Sequence, residues 1–191
     1  MHMSNAWKRG VTLIEMLFVL SMIGVLTTIV MPRIDLARYQ VEGTMQSVGT
    51  LMLAAQRLAV TRQHDVVARF DEANQTIRLL QDKNNDGVIA TTEHVQTVFL
   101  GEKVILGRGF ATIRPMGNGP VTFTQLVGGQ KSVTFHRNGS ASEEGGFYLT
   151  SQRAASGYNA GMNDTRAVEI ERGTGRVRWF RYINSVWKQG F

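Results

Sequence analysis

The stretch RGVTLIEMLFVLSMIGVLTTIVMP (residues 9–32) is the most apolar part of the chain, yet it carries a carboxylate, Glu15, near its start. From Met16 to Pro32 no residue is charged. Val11 to Pro32 makes 22 residues, about 33 Å as a helix against about 30 Å of bilayer hydrocarbon. The ten residues before it are polar and end in Lys8, Arg9 and Gly10. Positive charge on that flank favours its staying in the cytoplasm, which places the rest of the chain outside. A cleaved secretory signal has its small-residue cutting site after the apolar run. Here Met31, Pro32 and Arg33 follow the run, and the small residue, Gly10, precedes it. A plain anchor explains the hydrophobicity but not Glu15. A lone carboxylate costs about 2.5–3.5 kcal/mol at the centre of a membrane helix and less near the interface, so Glu15 is a candidate functional residue.

Lys8-Arg9-Gly10 followed by Val11-Thr12-Leu13-Ile14-Glu15 resembles the class III leader and mature start of type IV prepilins and pseudopilins. The resemblance implies a prepilin peptidase, active on the cytoplasmic side, that cuts between Gly10 and Val11 and methylates the new N-terminus at Val11. It makes residues 1–10 a leader. It makes residues 11–32 the half of a long helix that sits first in inner-membrane lipid and then in a filament core. It implies other pilins or pseudopilins and an inner-membrane assembly platform as partners. Glu15 stands at the family's glutamate position, and Pro32 where the family often has a helix-perturbing proline. Val11, where phenylalanine or methionine is usual, and Met16, where leucine is common, depart from the pattern. Cleavage would free a cationic amine four positions before Glu15. In a stack of such helices Glu15 of one subunit can pair with the amine of a neighbour, which offsets the burial of both charges and fixes axial register. The alternative is a Glu15 that snorkels to the headgroups of a simple anchor.

Beyond Asp35 the pattern changes. Val41, Met45, Val48, Met52, Ala55 and Ala59 recur at helical spacing, with Leu51 and Leu58 widening the stripe, so residues 33–63 form the amphipathic half of the helix. One helix is expected from about residue 12 to 62, loosened at Pro32. A coiled coil is the alternative for the stripe. After His64 the period becomes alternating. Residues 65–70, 76–81, 94–100, 121–124, 132–136, 147–150, 167–171 and 176–182 read as short strands between Gly, Asn and Asp clusters, which predicts an antiparallel sheet or a two-sheet sandwich. Residues 101–119 read as loop. The fold class is therefore α+β, a protruding helix whose rear half packs on a β-rich, extracytoplasmic head at 64–191. Val133-Thr134-Phe135 with Asn138-Gly139, Gly146-Phe147-Tyr148-Leu149, Arg166 to Ile170 and Gly173 to Arg178 resemble the C-terminal half of the general secretion pathway protein H and FimT family of minor pilins. Type IV pili and type II secretion systems both use such subunits.

Two further segments carry chemistry. DKNNDGVIATTE (residues 82–93) matches the twelve-residue calcium pattern. Asp82, Asn84, Asp86 and Glu93 offer side-chain oxygens, Val88 its carbonyl, and Gly87 the sharp turn. A structural calcium ion fits this composition, although a metal-free hairpin turn needs the same residues between two strands. The C-terminal GTGRVRWFRY (residues 173–182) brings Arg176, Arg178 and Arg181 onto a strand, with Arg172 just before it. Alternation puts Arg176 and Arg178 on one face and Val177 and Trp179 on the other. Residues 166–191 hold six basic residues against Glu169 and Glu171, within a chain of formal charge +6. Guanidinium groups near aromatics suit phosphate contacts with stacking, and Gly175-Arg176-Val177-Arg178 resembles the element linked with DNA binding in FimT-like competence pilins. A solvated strand face, or a patch meeting an acidic neighbour, is the alternative. The chain has no cysteine, which excludes disulfides and thiolate chemistry. Its four histidines show no metal-ligand spacing, and no nucleophile elbow or phosphate loop stands out, so an enzyme is not expected.

Overall fold

The computed structural model describes residues 11–30, 36–84, 86, 88–89, 93–157 and 159–190. Among these are helices α1 (Leu13–Val30), α2 (Leu36–Arg62) and the short α3 (Gln152–Ala155), with a 3-10 turn at Asn159–Asp164. The strands are β1 (Asp65–Asp71), β2 (Thr76–Asp82), β3 (His94–Phe99), β4 (Val104–Leu106), β5 (Leu126–Val127), β6 (Gln130–Phe135), β7 (Gly145–Ser151), β8 (Arg166–Ile170), β9 (Val177–Ile183) and β10 (Val186–Gln189). They form two antiparallel five-stranded sheets, in the orders β3-β2-β1-β6-β5 and β10-β9-β8-β7-β4. The fold is α+β with a two-sheet head, as the alternation after His64 implies. The chain divides into two compact units between Leu36 and Ala37.

In the first unit, α1 begins with a sequence-encoded cap. Thr12 accepts the Glu15 N–H on its hydroxyl at 3.3 Å and on its carbonyl at 3.1 Å. Thr12 is thus the N-cap of α1, and a carboxylate in the first turn complements the helix dipole. Residues 11–27 are all exposed, including Leu13, Ile14, Leu17, Phe18 and Leu20. Among the described residues no helix is long and apolar enough to cross a membrane. With 18 residues, α1 reaches about 27 Å, slightly short of a hydrocarbon core. The expected span ran on to Pro32, and residues 31–35, like the expected leader 1–10 with Gly10, lie outside the described residues.

The second unit is built on the stripe of α2. Val41, Met45, Val48, Leu51, Met52, Ala55 and Ala59 are each at most 2% exposed. They join one core with Val66, Ala68 and Phe70 of β1, Val133 and Phe135 of β6, Phe147 and Leu149 of β7, and Val168 and Ile170 of β8. The helix thus lies against the inner faces of both sheets, which explains why a marginal helix former with two internal glycines is stable here. Phe70 bridges the sheets, its ring 4.9 Å from that of Phe147. Polar contacts fix the helix in place. Thr44 donates to the Leu100 carbonyl at 3.0 Å, Gln56 to the Thr174 carbonyl at 2.9 Å, and Glu42 receives Arg166 at 2.8 Å.

Three sequence expectations change. Residues 121–124 are not a strand. They follow Gly119 and Pro120 and pair with β7 only at a Val121–Phe147 bridge, while the N–H groups of Thr124 and Gln125 are taken by the Glu143 carboxylate at 2.8 Å each. Part of 101–119 is strand, since Val104–Leu106 pairs with β7. The rest of that loop folds over the outer face of the second sheet. There the Tyr148 hydroxyl donates to the Gly117 carbonyl at 2.8 Å, Trp187 donates to that of Thr112 at 2.9 Å, and the Arg114 guanidinium sits 3.5 Å above the Phe180 ring. Burial pushes the Tyr148 phenol above its ordinary pKa. The third change is β10, which pairs with β9 through a two-residue turn in which Asn184 and Ser185 both have positive φ, the geometry of a type I′ hairpin.

Candidate functional site

The structure separates the sequence-predicted residues into four places. Val11 and Glu15 lie at the start of α1, Val11 non-helical and exposed, Glu15 in the first turn. Gly10 lies outside the described residues. The local role of Glu15 as partner of Thr12 was not read from the sequence, although T-x-x-E before an apolar run is its signal. This cap uses the Glu15 backbone N–H and leaves its carboxylate free for a charge from outside the helix.

The calcium-pattern loop connects β2 to β3. Asp82 and Glu93 are buried at its ends, while Asn84 and Asp86 are exposed. Its oxygens receive the loop's own donors. The Asp86 N–H reaches Asp82 Oδ1 at 3.2 Å and Asn84 Oδ1 at 3.3 Å, Val88 N–H reaches Asp86 Oδ1 at 2.7 Å, and Lys83 N–H reaches Glu93 Oε1 at 3.0 Å. Asn84 Nδ2 donates to Asp86 Oδ2 at 2.7 Å. Among the described residues no group of three or more carboxylates or imidazoles is arranged to hold a metal. Gly87 lies outside the described residues.

The arginines do not share one surface. Arg172 and Arg176 are exposed in the turn between β8 and β9. That turn is pinned by the Gln56 amide and by Gly175, whose φ of +60° and close approach to the Gly139 carbonyl admit no Cβ. Arg137 is exposed in the adjoining turn. Arg178 lies on the outer face of the second sheet, opposite Glu169, which is itself ion-paired to Arg114 at 2.6 Å. Val177 and Trp179 face the core as expected, but Arg176 precedes β9 and lies in the turn rather than beside Arg178 on a strand face. Arg181 has the parity of Val177 and Trp179 and lies instead on the α2-facing side, opposite Arg166 and Lys188. Gln56 and Glu42 are fourteen residues apart on α2, so these two clusters sit about 21 Å apart along the helix. Sequence reading missed the split because it did not place β10 or the Glu42–Arg166 contact.

No protein family's sequence profile matches the chain, and no curated protein matches it. Solved structures that resemble it in backbone shape include two of one protein. The structure of the minor pseudopilin EpsH from the type 2 secretion system of Vibrio cholerae matches with 15% identity and a TM-score of 0.47, over 74% of this chain and 97% of that one. A crystal structure of the same minor pseudopilin matches with 13% identity and a TM-score of 0.39, over 80% and 94%.

Proposed function

We propose that the chain is a minor pilin or pseudopilin, a structural subunit rather than an enzyme. It is processed after Gly10, waits in the inner membrane with its head outside the cytoplasm, and joins or primes a type IV pilus or a type II secretion pseudopilus. The observation that carries this reading is an exposed apolar helix with a single carboxylate in its first turn, preceded in sequence by a basic leader ending in glycine. Unpaired apolar surface of this extent marks a segment made for lipid or for other helices. The buried stripe of α2 supports the same reading, because it packs the helix that follows the apolar segment in sequence into the head. The test is the mass of the protein recovered from a host with an active prepilin peptidase. Removal of residues 1–10 with one methyl group on Val11 is expected; an intact leader refutes the reading.

A second reading has one observation in its favour. Arg137, Arg172 and Arg176 are exposed on neighbouring turns, and exposed guanidinium groups suit contacts with DNA phosphates. It is tested by a gel shift at low salt with the Arg172→Gln/Arg176→Gln variant. Unchanged binding refutes it.

A further inference from the structure

The chain contains two Asn-Gly steps, Asn118-Gly119 and Asn138-Gly139, each with an exposed asparagine outside helix and strand. A glycine after asparagine has no Cβ to keep its amide nitrogen from the asparagine side-chain carbonyl. The structure separates the two steps. The Gly139 N–H is committed to the His136 carbonyl at 2.8 Å. The Gly119 N–H has no hydrogen-bond partner among the described residues. Tyr148 pins the chain on either side of it, donating its hydroxyl to the Gly117 carbonyl at 2.8 Å and its N–H to the Pro120 carbonyl at 2.9 Å. Arg108 Nε donates to Asn118 Oδ1 at 3.0 Å. A guanidinium has donors only, so this contact fixes which end of the amide is oxygen. Arg108 is itself anchored: its guanidinium donates to the Ala111 carbonyl, and its own carbonyl accepts the Thr165 hydroxyl. The Asn118 Nδ2 has no partner among the described residues and is unhindered as a leaving group.

We propose that Asn118 is a self-modification site: the Gly119 nitrogen closes a succinimide ring on the Asn118 side chain, and Arg108 stabilises the charge that develops on Oδ1. A charge-assisted bond already aimed at that oxygen favours the tetrahedral intermediate over the neutral amide. The bond between Gly119 N and Asn118 Cγ forms as the nitrogen gives its proton to hydroxide. The Cγ–Nδ2 bond then breaks, and ammonia departs with a proton taken from water. Water opens the ring at either carbonyl and leaves aspartate or isoaspartate at 118, with no oxidant or reductant involved. Either product sets a carboxylate beside Arg108 and lowers the chain's formal charge of +6 by one. Isoaspartate also lengthens the backbone between the two carbonyls that hold Tyr148. At Asn138 the Ser140 N–H and hydroxyl polarise Oδ1 as well, at 3.0 and 2.7 Å. The free Gly119 nitrogen and the full charge of Arg108 therefore single out Asn118.

The full chain is incubated at mildly alkaline pH, digested, and read by isotopically resolved mass spectrometry, with isoaspartyl methyltransferase labelling to mark isoaspartate. In the folded protein Asn118 should convert at least several-fold faster than Asn138. In urea, where neither turn persists, the two rates should converge. Arg108→Gln should slow Asn118 about three- to tenfold and leave Asn138 unchanged. That effect is smaller than the ~100-fold or more of a water-excluded oxyanion donor, because solvent reaches this one. Equal rates in the folded chain, or a faster Asn138, overturn the proposal. An Asn118 rate that is unchanged or raised in folded Arg108→Gln also overturns it. The same holds if Asn118 outpaces Asn138 by as much in urea, since local sequence would then account for the preference. The wild-type comparisons decide the matter whether or not Arg108→Gln folds.

Discussion

Removing the charge of Glu42 should unlock the head from its helix. Arg166 is 3% exposed in its side chain and Glu42 31%, and the carboxylate takes two guanidinium bonds, at 3.1 and 2.8 Å. Breaking a fully buried pair costs about 3–5 kcal/mol. Solvent reaches Glu42, and Arg166 keeps the carbonyls of Asn163 and Thr165 at 2.8 and 3.0 Å, so Glu42→Gln should cost about 2 kcal/mol. For a domain of this size that lowers Tm by about 4–8 °C. Arg166→Gln should cost as much, and the double variant little more, giving a coupling of about 1.5 kcal/mol in a double-mutant cycle. Urea unfolding of wild type, both single variants and the double variant measures this, with m unchanged. Strict additivity, with coupling below about 0.5 kcal/mol, would refute the placement of α2 against β8.

Two glycines should respond in opposite directions. Gly43→Ala, where a Cβ meets nothing within 4 Å on α2, should stabilise by about 0.5–1 kcal/mol. Gly175→Ala, at φ +60° and against the Gly139 carbonyl, should cost more than about 2 kcal/mol in the same unfolding assay. The Asn74 side chain and N–H bond the Asp71 carboxylate at 2.8 and 2.9 Å and lower its pKa from 3.8 to about 2. A lowered carboxylate stabilises above the unfolded pKa and loses that contribution as pH falls through the folded one. Wild type should therefore lose about 1 kcal/mol more than Asp71→Asn between about pH 4 and pH 2, read from urea midpoints. Asp82, Asn84, Asp86 and Glu93 already accept N–H donors of the same segment, so chelation with EDTA should leave Tm within about 1 °C, whereas Glu93→Ala, which removes the acceptor of the Lys83 N–H, should lower stability by about 1–2 kcal/mol.

The parts legible in the sequence are those where one physical period dominates. The α2 stripe read correctly because every third or fourth residue meets a sheet. Strands β1, β2, β7, β8 and β9 lie where short runs between turn-forming clusters placed them, although they are buried on both faces, β7 at every residue. Strands β4 and β10 are short and have polar or glycine neighbours, so their pairing depends on partners distant in the chain. Residues 121–124 have strand-like composition, but Pro120 and the Glu143 carboxylate replace the ladder with other partners. Charge segregation along the sequence was visible. The division of the arginines between two ends of one strand was not, because it depends on which residue of β9 faces Glu42 and which turn faces Gln56.

The most direct test of the account is the incorporation of a Glu15→Gln chain into filaments of a host carrying the matching assembly machinery. Glutamine keeps the side-chain shape and the backbone bond to Thr12, and removes only the charge. The account predicts normal leader removal and membrane levels, with at least a tenfold drop of the subunit in isolated filaments. Undiminished incorporation would contradict it, because the acid would then serve its own helix and no neighbour.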